Sequence, residues 1–418
     1  MKKQQIKAGM ASLCVGLVSP LAVFATQAGA VTQTFVSRSN VDYLTPSDRG
    51  KMSADASWAS MVAPVNGDTA VFPVSANIQT INNDISSLSL AKLVFSGERT
   101  GSSSKSFTIT GNGLTITSGI DAIMTGIGGD HMVNLSVTLG AAATFKTTGS
   151  NTLQVGNDGT MLTLGANDLF LQPNGGTITL AGSIDGSGTI SIDGSGEVNM
   201  LATAATGYTG AIEITNGVFA TTAETEGNII LNGGTLKGNS NLLGTITMSD
   251  GTIAPGNSPG CLGTGNLVFT GGSYDVEING VAQCTQYDSM TVIGTVALGA
   301  DTTLNVSRLA SYAPKVNDTF AIIVNDLTDA VTGTFKGLAN GATFTVAGYT
   351  YQINYDAGVD NNDVLLLVKA VPAEAAAAVP TTPKTGIGSL VTNPLTAALS
   401  ALAALGVIGG LKFAEKRR

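Results

Sequence analysis

Short runs of alternating apolar and small polar residues fill most of the chain between residues 31 and 370. Strand-length examples are Thr69–Val74, Lys92–Phe95, Phe107–Thr110, Leu114–Thr117 and Met132–Leu139. Thr, Val and Ile dominate these runs, and Gly, Asn, Asp or Ser stand at their ends. Alternation with a period of two predicts strands with one buried face, and the residues between the strands predict turns. This range is therefore predicted to be all-β, because no amphipathic helical pattern occurs in it.

A glycine-threonine step followed by aliphatic residues recurs along this range. It is found in Gly176–Leu180, Gly188–Ile192, Gly234–Leu236, Gly244–Met248, Gly251–Ile253 and Gly294–Leu298. One such unit cannot bury its apolar face alone, whereas stacked units can. The recurrence predicts a parallel β-helix (solenoid) in which Thr faces outward and the aliphatic residues face inward. The irregular spacing indicates a degenerate repeat.

The alternative architecture is an array of β-sandwiches built from hairpins. Four Asn-Gly pairs would suit hairpin turns: Asn66-Gly67, Asn216-Gly217, Asn232-Gly233 and Asn340-Gly341. Aromatic residues make up only 5% of the chain, and this favours the narrow interior of a β-helix. Residues 319–324, 349–355 and 363–368 are expected to close the last coil, with the large rings of Phe320, Tyr349, Tyr351 and Tyr355 in the first two of these ranges.

A dense turn signal stands at Ala254–Gly260, which reads Ala-Pro-Gly-Asn-Ser-Pro-Gly. Two prolines and two glycines within seven residues predict a sharp, fixed turn between strands. None of its side chains can donate a proton to a reaction or hold a metal ion, so its role is expected to be architectural.

Residues 1–30 have the pattern of an export signal. Lys2, Lys3 and Lys7 precede an uncharged stretch, and small residues at Ala28 and Ala30 suit a signal peptidase. Cleavage is predicted after Ala30, with Ala25 as the second choice. The signal is expected to be helical before its removal.

Residues 387–418 are predicted to form a membrane anchor. Leu395 to Leu411 carries no charge and has the minimum length for a transmembrane helix, about 17 residues. Lys412, Lys416, Arg417 and Arg418 follow it directly, as expected for a cytoplasmic tail. A buried core helix is the alternative.

Residues 371–386 form an Ala/Pro-rich stalk that ends in a Pro-x-Thr-Gly motif. The order of Pro383, Thr385, Gly386, apolar span and basic tail resembles a sortase cell-wall sorting signal. The resemblance implies cleavage between Thr385 and Gly386 and transfer to a cell-wall peptide, with sortase as a partner. Thr382 stands where that family has leucine, so a plain stalked membrane anchor is the alternative.

The charge of the exported part limits the kinds of partner that it can bind. The chain has 20 Lys and Arg against 29 Asp and Glu. Removing the seven basic residues and one acid of the two ends leaves 13 basic and 28 acidic residues (20 − 7 and 29 − 1). The absence of a basic stripe argues against a nucleic-acid partner.

Cys261 and Cys284 are predicted to form a disulfide in an oxidising compartment, with two free thiols as the alternative.

Few residues in the sequence suit catalysis or metal binding. His131 is the single histidine, and Gly128-Gly129-Asp130 before it predicts a solvent-exposed turn. Asp185 and Asp193 lie in Asp-Gly-Ser-Gly steps that are typical of turns rather than of calcium sites. No catalytic residue, metal site or cofactor is predicted.

Two segments resemble the repeats of autotransporter passenger domains. They are residues 181–220, with Ala-Gly-Ser-Ile-Asp-Gly-Ser-Gly, and residues 254–298, with the Pro-Gly turn and Tyr287-Asp288. The resemblance implies a right-handed parallel β-helix displayed on a bacterial surface, often as an adhesin. That family ends in an outer-membrane translocator domain, whereas this chain ends in an apolar segment, which favours a single-membrane envelope.

Together these features predict an exported, cell-surface-anchored protein with an adhesin-like or structural display role and no catalytic activity. Exposed Thr, Ser and Asn side chains suit glycans or neighbouring cell surfaces. The alternative is a secreted carbohydrate-active enzyme, a glycoside hydrolase or lyase, with an acid pair in a groove of the same fold.

Overall fold

The computed structural model describes residues 30–36, 48–76, 79–99, 106–201, 207–309, 312–326 and 329–372. The chain divides after Ala370 into two units, and almost all of the described residues belong to the first. Within the described ranges the secondary structure is 35 β-strands and one short 3-10 helix, Asp55–Ser57, and the chain is all-β as predicted.

The first half of this unit contains 18 strands. They are β1 (Thr32–Thr34), β2 (Thr69–Pro73), β3 (Thr80–Asn83), β4 (Leu88–Ser96), β5 (Glu98–Arg99), β6 (Thr108–Gly111), β7 (Leu114–Ala122), β8 (Thr125–Gly126), β9 (Asp130–Val133), β10 (Val137–Leu139), β11 (Ala143–Thr148), β12 (Thr152–Val155), β13 (Met161–Gly165), β14 (Leu169–Asn174), β15 (Thr177–Leu180), β16 (Ser183–Gly186), β17 (Ile190–Ile192) and β18 (Glu197–Met200).

The remaining strands continue the same pattern to the end of the unit. They are β19 (Gly207–Tyr208), β20 (Ile212–Ile214), β21 (Val218–Thr221), β22 (Ile229–Gly238), β23 (Ser240–Leu242), β24 (Ile246–Pro255), β25 (Cys261–Thr264), β26 (Leu267–Phe269), β27 (Ser273–Ile278), β28 (Ser289–Val292), β29 (Val296–Leu298), β30 (Thr303–Arg308), β31 (Thr319–Asn325), β32 (Thr332–Gly333), β33 (Thr343–Val346), β34 (Tyr349–Ala357) and β35 (Asp363–Ala370).

Almost all pairing is parallel and falls into three ladders. Ladder A runs through β1, β2, β4, β7, β11, β14, β17, β20, β22, β24, β26, β29 and β32. Ladder B runs through β3, β6, β9, β12, β15, β18, β21, the second halves of β22 and β24, β27 and β30. Successive turns of the chain add strands to the same ladders, which is the arrangement of a parallel solenoid. The predicted stacking is confirmed, and the sandwich alternative is wrong.

Ladder C is made in two stretches. The first halves of β4 and β7 lead to β10, β13, β16 and β19, and β23, β25, β28 and β31 follow further along the chain. Successive coils differ in length, since Thr245 bonds to Asn228 at a separation of 17 residues and Thr332 to Val296 at a separation of 36. Most parallel pairs nevertheless keep an unbroken register, with a shift, for example, between Thr163 and Gly165 where β13 pairs with β16.

The recurring glycine-threonine step lies at a corner where two coils come close together. A Cβ atom on Gly188 would overlap the backbone oxygen of Asn167 in the preceding coil. The amide of Thr189 donates to the Asp168 carboxylate at 2.9 Å. The same pattern recurs where Thr245 donates to Asn228 and Thr295 to Asn266. At these three steps glycine allows the close approach, and the following amide is bound by an Asp or Asn side chain of the previous coil.

The interior is filled by the aliphatic residues of this repeat. In β15, Ile178 and Leu180 are buried, whereas Thr177 and Thr179 lie at the surface. Each buried Ile or Leu side chain stabilises the folded state by roughly 1.5–3 kcal/mol. The predicted inward and outward sides of the strands are confirmed.

The C-terminal end of the unit is closed by antiparallel strands. β31 pairs with β35, β35 with β34, and β34 with β33. The rings of Phe320 and Tyr351 are fully buried there, and Phe344 stacks on Tyr351. The expectation that large rings close the last coil is confirmed.

The predicted signal helix, the sorting motif and the predicted anchor at Leu395 to Leu411 lie outside the described residues. Across the ranges given above, the chain forms no apolar helix of membrane-spanning length.

Candidate functional site: the groove beside the Pro-Gly turn

The Ala254–Gly260 segment makes a sharp turn between β24 of ladder B and β25 of ladder C. Gly256 and Ser258 have positive φ angles of 88° and 72°, and the bond between Ser258 and Pro259 is cis. Gly256 exchanges two backbone hydrogen bonds with Gly238, at 2.7 and 3.2 Å. A Cβ on Gly256 would overlap the backbone of Gly260, so only glycine fits here. The predicted fixed turn is confirmed.

Asp288 fastens this turn to the neighbouring strand. Its side chain is only 2% exposed. One carboxylate oxygen accepts the Gly260 amide at 2.7 Å and the other accepts the Glu277 amide at 2.8 Å. Burial raises the pKa of Asp288 to about 7, and the two amide donors oppose this shift. Because both oxygens are occupied, this carboxylate holds backbone in place.

A disulfide makes a second connection in the same region. Cys261, at the start of β25, is joined to Cys284, in an exposed loop between β27 and β28. The Gln283 side chain also ties this loop to Ser289, at 3.0 Å. The predicted disulfide is confirmed, and the alternative of free thiols is wrong.

The turn forms one wall of a groove of about 470 Å³. Outward residues of ladder B form the rest: Lys237, Ala254, Asp275, Glu277 and Ser307. Several of these side chains have partners. Lys237 pairs with Glu197 at 3.3 Å, Asn305 donates to Asp275 at 2.8 Å, and the Ser258 hydroxyl donates to Glu277.

A second cavity of about 210 Å³ adjoins this groove. Glu197, Asn199, Thr221 and Thr222 line it. Asn257, at the tip of the turn, lines both cavities. We call the two together the axial groove, because they extend along ladder B from β18 to β30.

The axial groove has the groups for polar binding. Hydroxyl, amide, carboxylate and ammonium groups line it, and Asp275 and Glu277 face it from alternate positions of β27. Alternate residues of a strand lie roughly 7 Å apart. Among the described residues, no three His, Cys, Asp or Glu side chains lie close enough to share a metal ion.

The prediction of an exposed turn at His131 is wrong, because this residue is fully buried in β9. His131 pairs with the buried Leu153 of β12, so its side chain faces the interior. Its ring stacks on Phe95 with centroids 4.6 Å apart, and its Nδ1 accepts the amide of Phe107 at 3.4 Å. Burial lowers the pKa of His131 to about 4.

The other residues singled out in the sequence lie in different elements or outside the described residues. Asp193 is exposed after β17, and Asp185 lies in β16. Ala30 begins the described chain, whereas Ala28, Pro383, Thr385 and Gly386 fall outside it. The sequence reasoning missed Asp288 and Glu277 as residues of one site. Their signal was the Tyr287-Asp288 step and the Tyr-Asp-Val-Glu-Ile strand, which follow the Pro-Gly turn in the chain.

Comparison with known proteins adds no assignment, since no family model and no curated protein matches the chain.

Proposed function

We propose that this chain is a cell-surface-anchored, non-catalytic protein with an adhesin-like or structural display role. Its body would be a right-handed parallel β-helix similar to autotransporter passengers. The three parallel ladders and the outward rows of Thr, Ser and Asn support this. A right hand is proposed because crossovers between parallel strands are right-handed in about 98% of cases.

The proposed location rests on the two ends of the sequence. A signal cleaved after Ala30 would export the chain. Sortase would cut between Thr385 and Gly386 and join the body to a cell-wall peptide. If the altered motif is not cut, the segment at 387–418 would hold the protein in the membrane. The body faces outward in both cases.

The observation that carries the non-catalytic role is the bonding of Asp288. The one buried acid that lines the groove gives both oxygens to backbone amides of Gly260 and Glu277. A general acid or base has to exchange a proton with substrate, and this carboxyl group is held away from that task.

The second candidate function is a carbohydrate-active enzyme. The observation in its favour is that Asp275 and Glu277 face the same groove from one strand. An inverting hydrolase needs two carboxyl groups about 6.5–9.5 Å apart on such a surface. Both side chains are half-exposed and accept hydrogen bonds from Asn305 or Ser258, which favours the binding role.

The test expresses the full-length gene in a Gram-positive host with and without its sortase. We expect surface labelling of intact cells, increased adhesion to host cells or glycans, and a C-terminus at Thr385 that carries an envelope peptide. A C-terminus that still ends at Arg418 would mean that the protein is held by a membrane anchor and is not cut by sortase. Labelling only after lysis would contradict the proposal. Release of reducing sugar from polysaccharides, lost in Asp275→Asn and Glu277→Gln, would establish the enzyme instead.

A further inference from the structure

We infer that the axial groove binds a neutral oligosaccharide chain laid along ladder B. The inference rests on the proposed surface role and names the ligand class and the site. It requires a groove of sufficient length, matching polar groups and a fixed wall.

The groove is long enough for a chain rather than a single sugar. From Glu197 in β18 to the level of Asp275 in β27 the ladder makes four steps, through β21, β22 and β24. Parallel strands lie about 4.8 Å apart, so the span is roughly 19 Å. Asn257 stands between the two cavities and can contact a ligand in both.

The polar groups of the groove suit sugar hydroxyls, which donate and accept hydrogen bonds. Hydroxyls of Ser307 and Thr222 and amides of Asn199 and Asn257 offer both functions. The Ser258 hydroxyl donates to Glu277 and can still accept. The two groups of lining residues contain no aromatic ring. Nucleobases are therefore poor ligands, because they require stacking platforms.

The charges of the groove exclude acidic sugars. Asp275, Glu277 and Glu197 stand against one ammonium group, that of Lys237. This ammonium is already paired with Glu197. An anionic ligand would therefore meet net repulsion, whereas an uncharged sugar chain would not.

The wall of the groove is fixed before any ligand arrives. Asp288 binds the end of the turn, and the Cys261–Cys284 disulfide holds the strand that follows it. The two prolines further restrict the turn backbone. A fixed wall loses little conformational freedom on binding, which increases affinity.

The experiment uses the purified full-length chain on an array of neutral glucan, mannan and galactan oligosaccharides together with uronic-acid and sialylated chains. The strongest neutral binder is then titrated calorimetrically against two variants of β24. Ala254→Trp fills the groove, and Thr247→Trp places the same ring at an outward position on ladder A. Asn257→Ala is a third variant, on an exposed residue whose truncation leaves the strands intact.

We expect binding of neutral chains, a loss of at least about tenfold in affinity for Ala254→Trp and Asn257→Ala, and wild-type affinity for Thr247→Trp. Absence of neutral glycan binding, preference for acidic chains, or wild-type affinity in both groove variants would overturn the inference. Adhesion that persists without glycan binding would overturn this site but not the surface role. Failure of surface labelling in the cell experiment would count against the surface role alone.

Discussion

The buried histidine makes the stability of this protein sensitive to acid in a way that one substitution removes. His131 lies stacked on Phe95 inside the coil, and burial lowers its pKa from 6.5 to about 4. Between these two pH values the unfolded chain binds a proton that the folded chain does not. Stability therefore falls as pH drops through this window, and the contribution of the neutral ring is fully present above pH 6.5.

The size of the effect follows from the two pKa values. A difference of 6.5 − 4 pH units sets an upper limit of about 3.5 kcal/mol, at roughly 1.4 kcal/mol per unit. From pH 7.5 to 4.5 we expect the wild type to lose about 2.5 kcal/mol relative to a variant without the imidazole. His131→Phe would extend the ring stack and His131→Gln would keep a polar group, and both should remove this loss.

The assay is urea unfolding of the full chain and of both variants at pH 7.5 and 4.5. Since the chain has one histidine, its imidazole proton resonance in NMR reports the pKa of His131 without assignment. The carboxylates, which all three proteins share, contribute equally to the pH dependence of each unfolding free energy, so their contribution cancels when a variant is subtracted from the wild type. An imidazole that titrates near pH 6.5, or equal pH dependence in wild type and variants, would refute the reasoning.

Three further predictions concern named contacts. Burial raises the pKa of Asp288 from 3.8 to about 7, so between these pH values the folded chain binds a proton that the unfolded chain does not, and stability falls as pH rises. Asp288→Asn should remove this loss, which amounts to about 2–3 kcal/mol between pH 5 and 8. An unchanged pH dependence of the unfolding free energy in urea would contradict this. Gly188→Ala should destabilise the fold by at least about 3 kcal/mol, because the added Cβ meets the backbone of the previous coil. The control Gly149→Ala has open space around it and should cost about 1–2 kcal/mol because of its positive φ. Equal losses of stability in the two variants would count against the close approach of the coils. The double variant Cys261→Ala/Cys284→Ala should lose about 3 kcal/mol, given the sequence separation of 23, and a thermal midpoint equal to that of the wild type would be inconsistent with this.

Local pattern was sufficient for the strands and for their buried sides. In Gly176–Leu180, glycine makes the corner and the alternation assigns Ile178 and Leu180 to the interior, as the structure has them. The disulfide followed from two cysteines in a chain for which an export signal is predicted. Each of these inferences depends on neighbouring residues or on simple counting.

The features that the sequence did not predict depend on which face of a strand a residue takes and on contacts between residues distant in the chain. Three turn-like residues precede His131, and its pairing opposite the buried Leu153 of β12, a contact between distant residues, places its ring in the interior. The Lys237–Glu197 ion pair joins residues 40 positions apart. Asp288 reaches Gly260 across 28 positions. Coil lengths vary, so the sequence alone does not fix which residues face each other in a ladder, and the groove could not be assembled from it.

Spin-label distances along ladder B test the parallel stacking most directly. Thr152 and Thr235 are separated by four ladder steps, and Thr152 and Thr303 by seven. Each step is about 4.8 Å, so the two pairs should lie roughly 19 and 34 Å apart. Double electron–electron resonance on spin labels attached to cysteines at these positions of the full chain should give these distances, to within the length of the label side chains. Distances that do not grow in proportion to the number of coils, such as equal values for the two pairs, would contradict a stacked parallel solenoid.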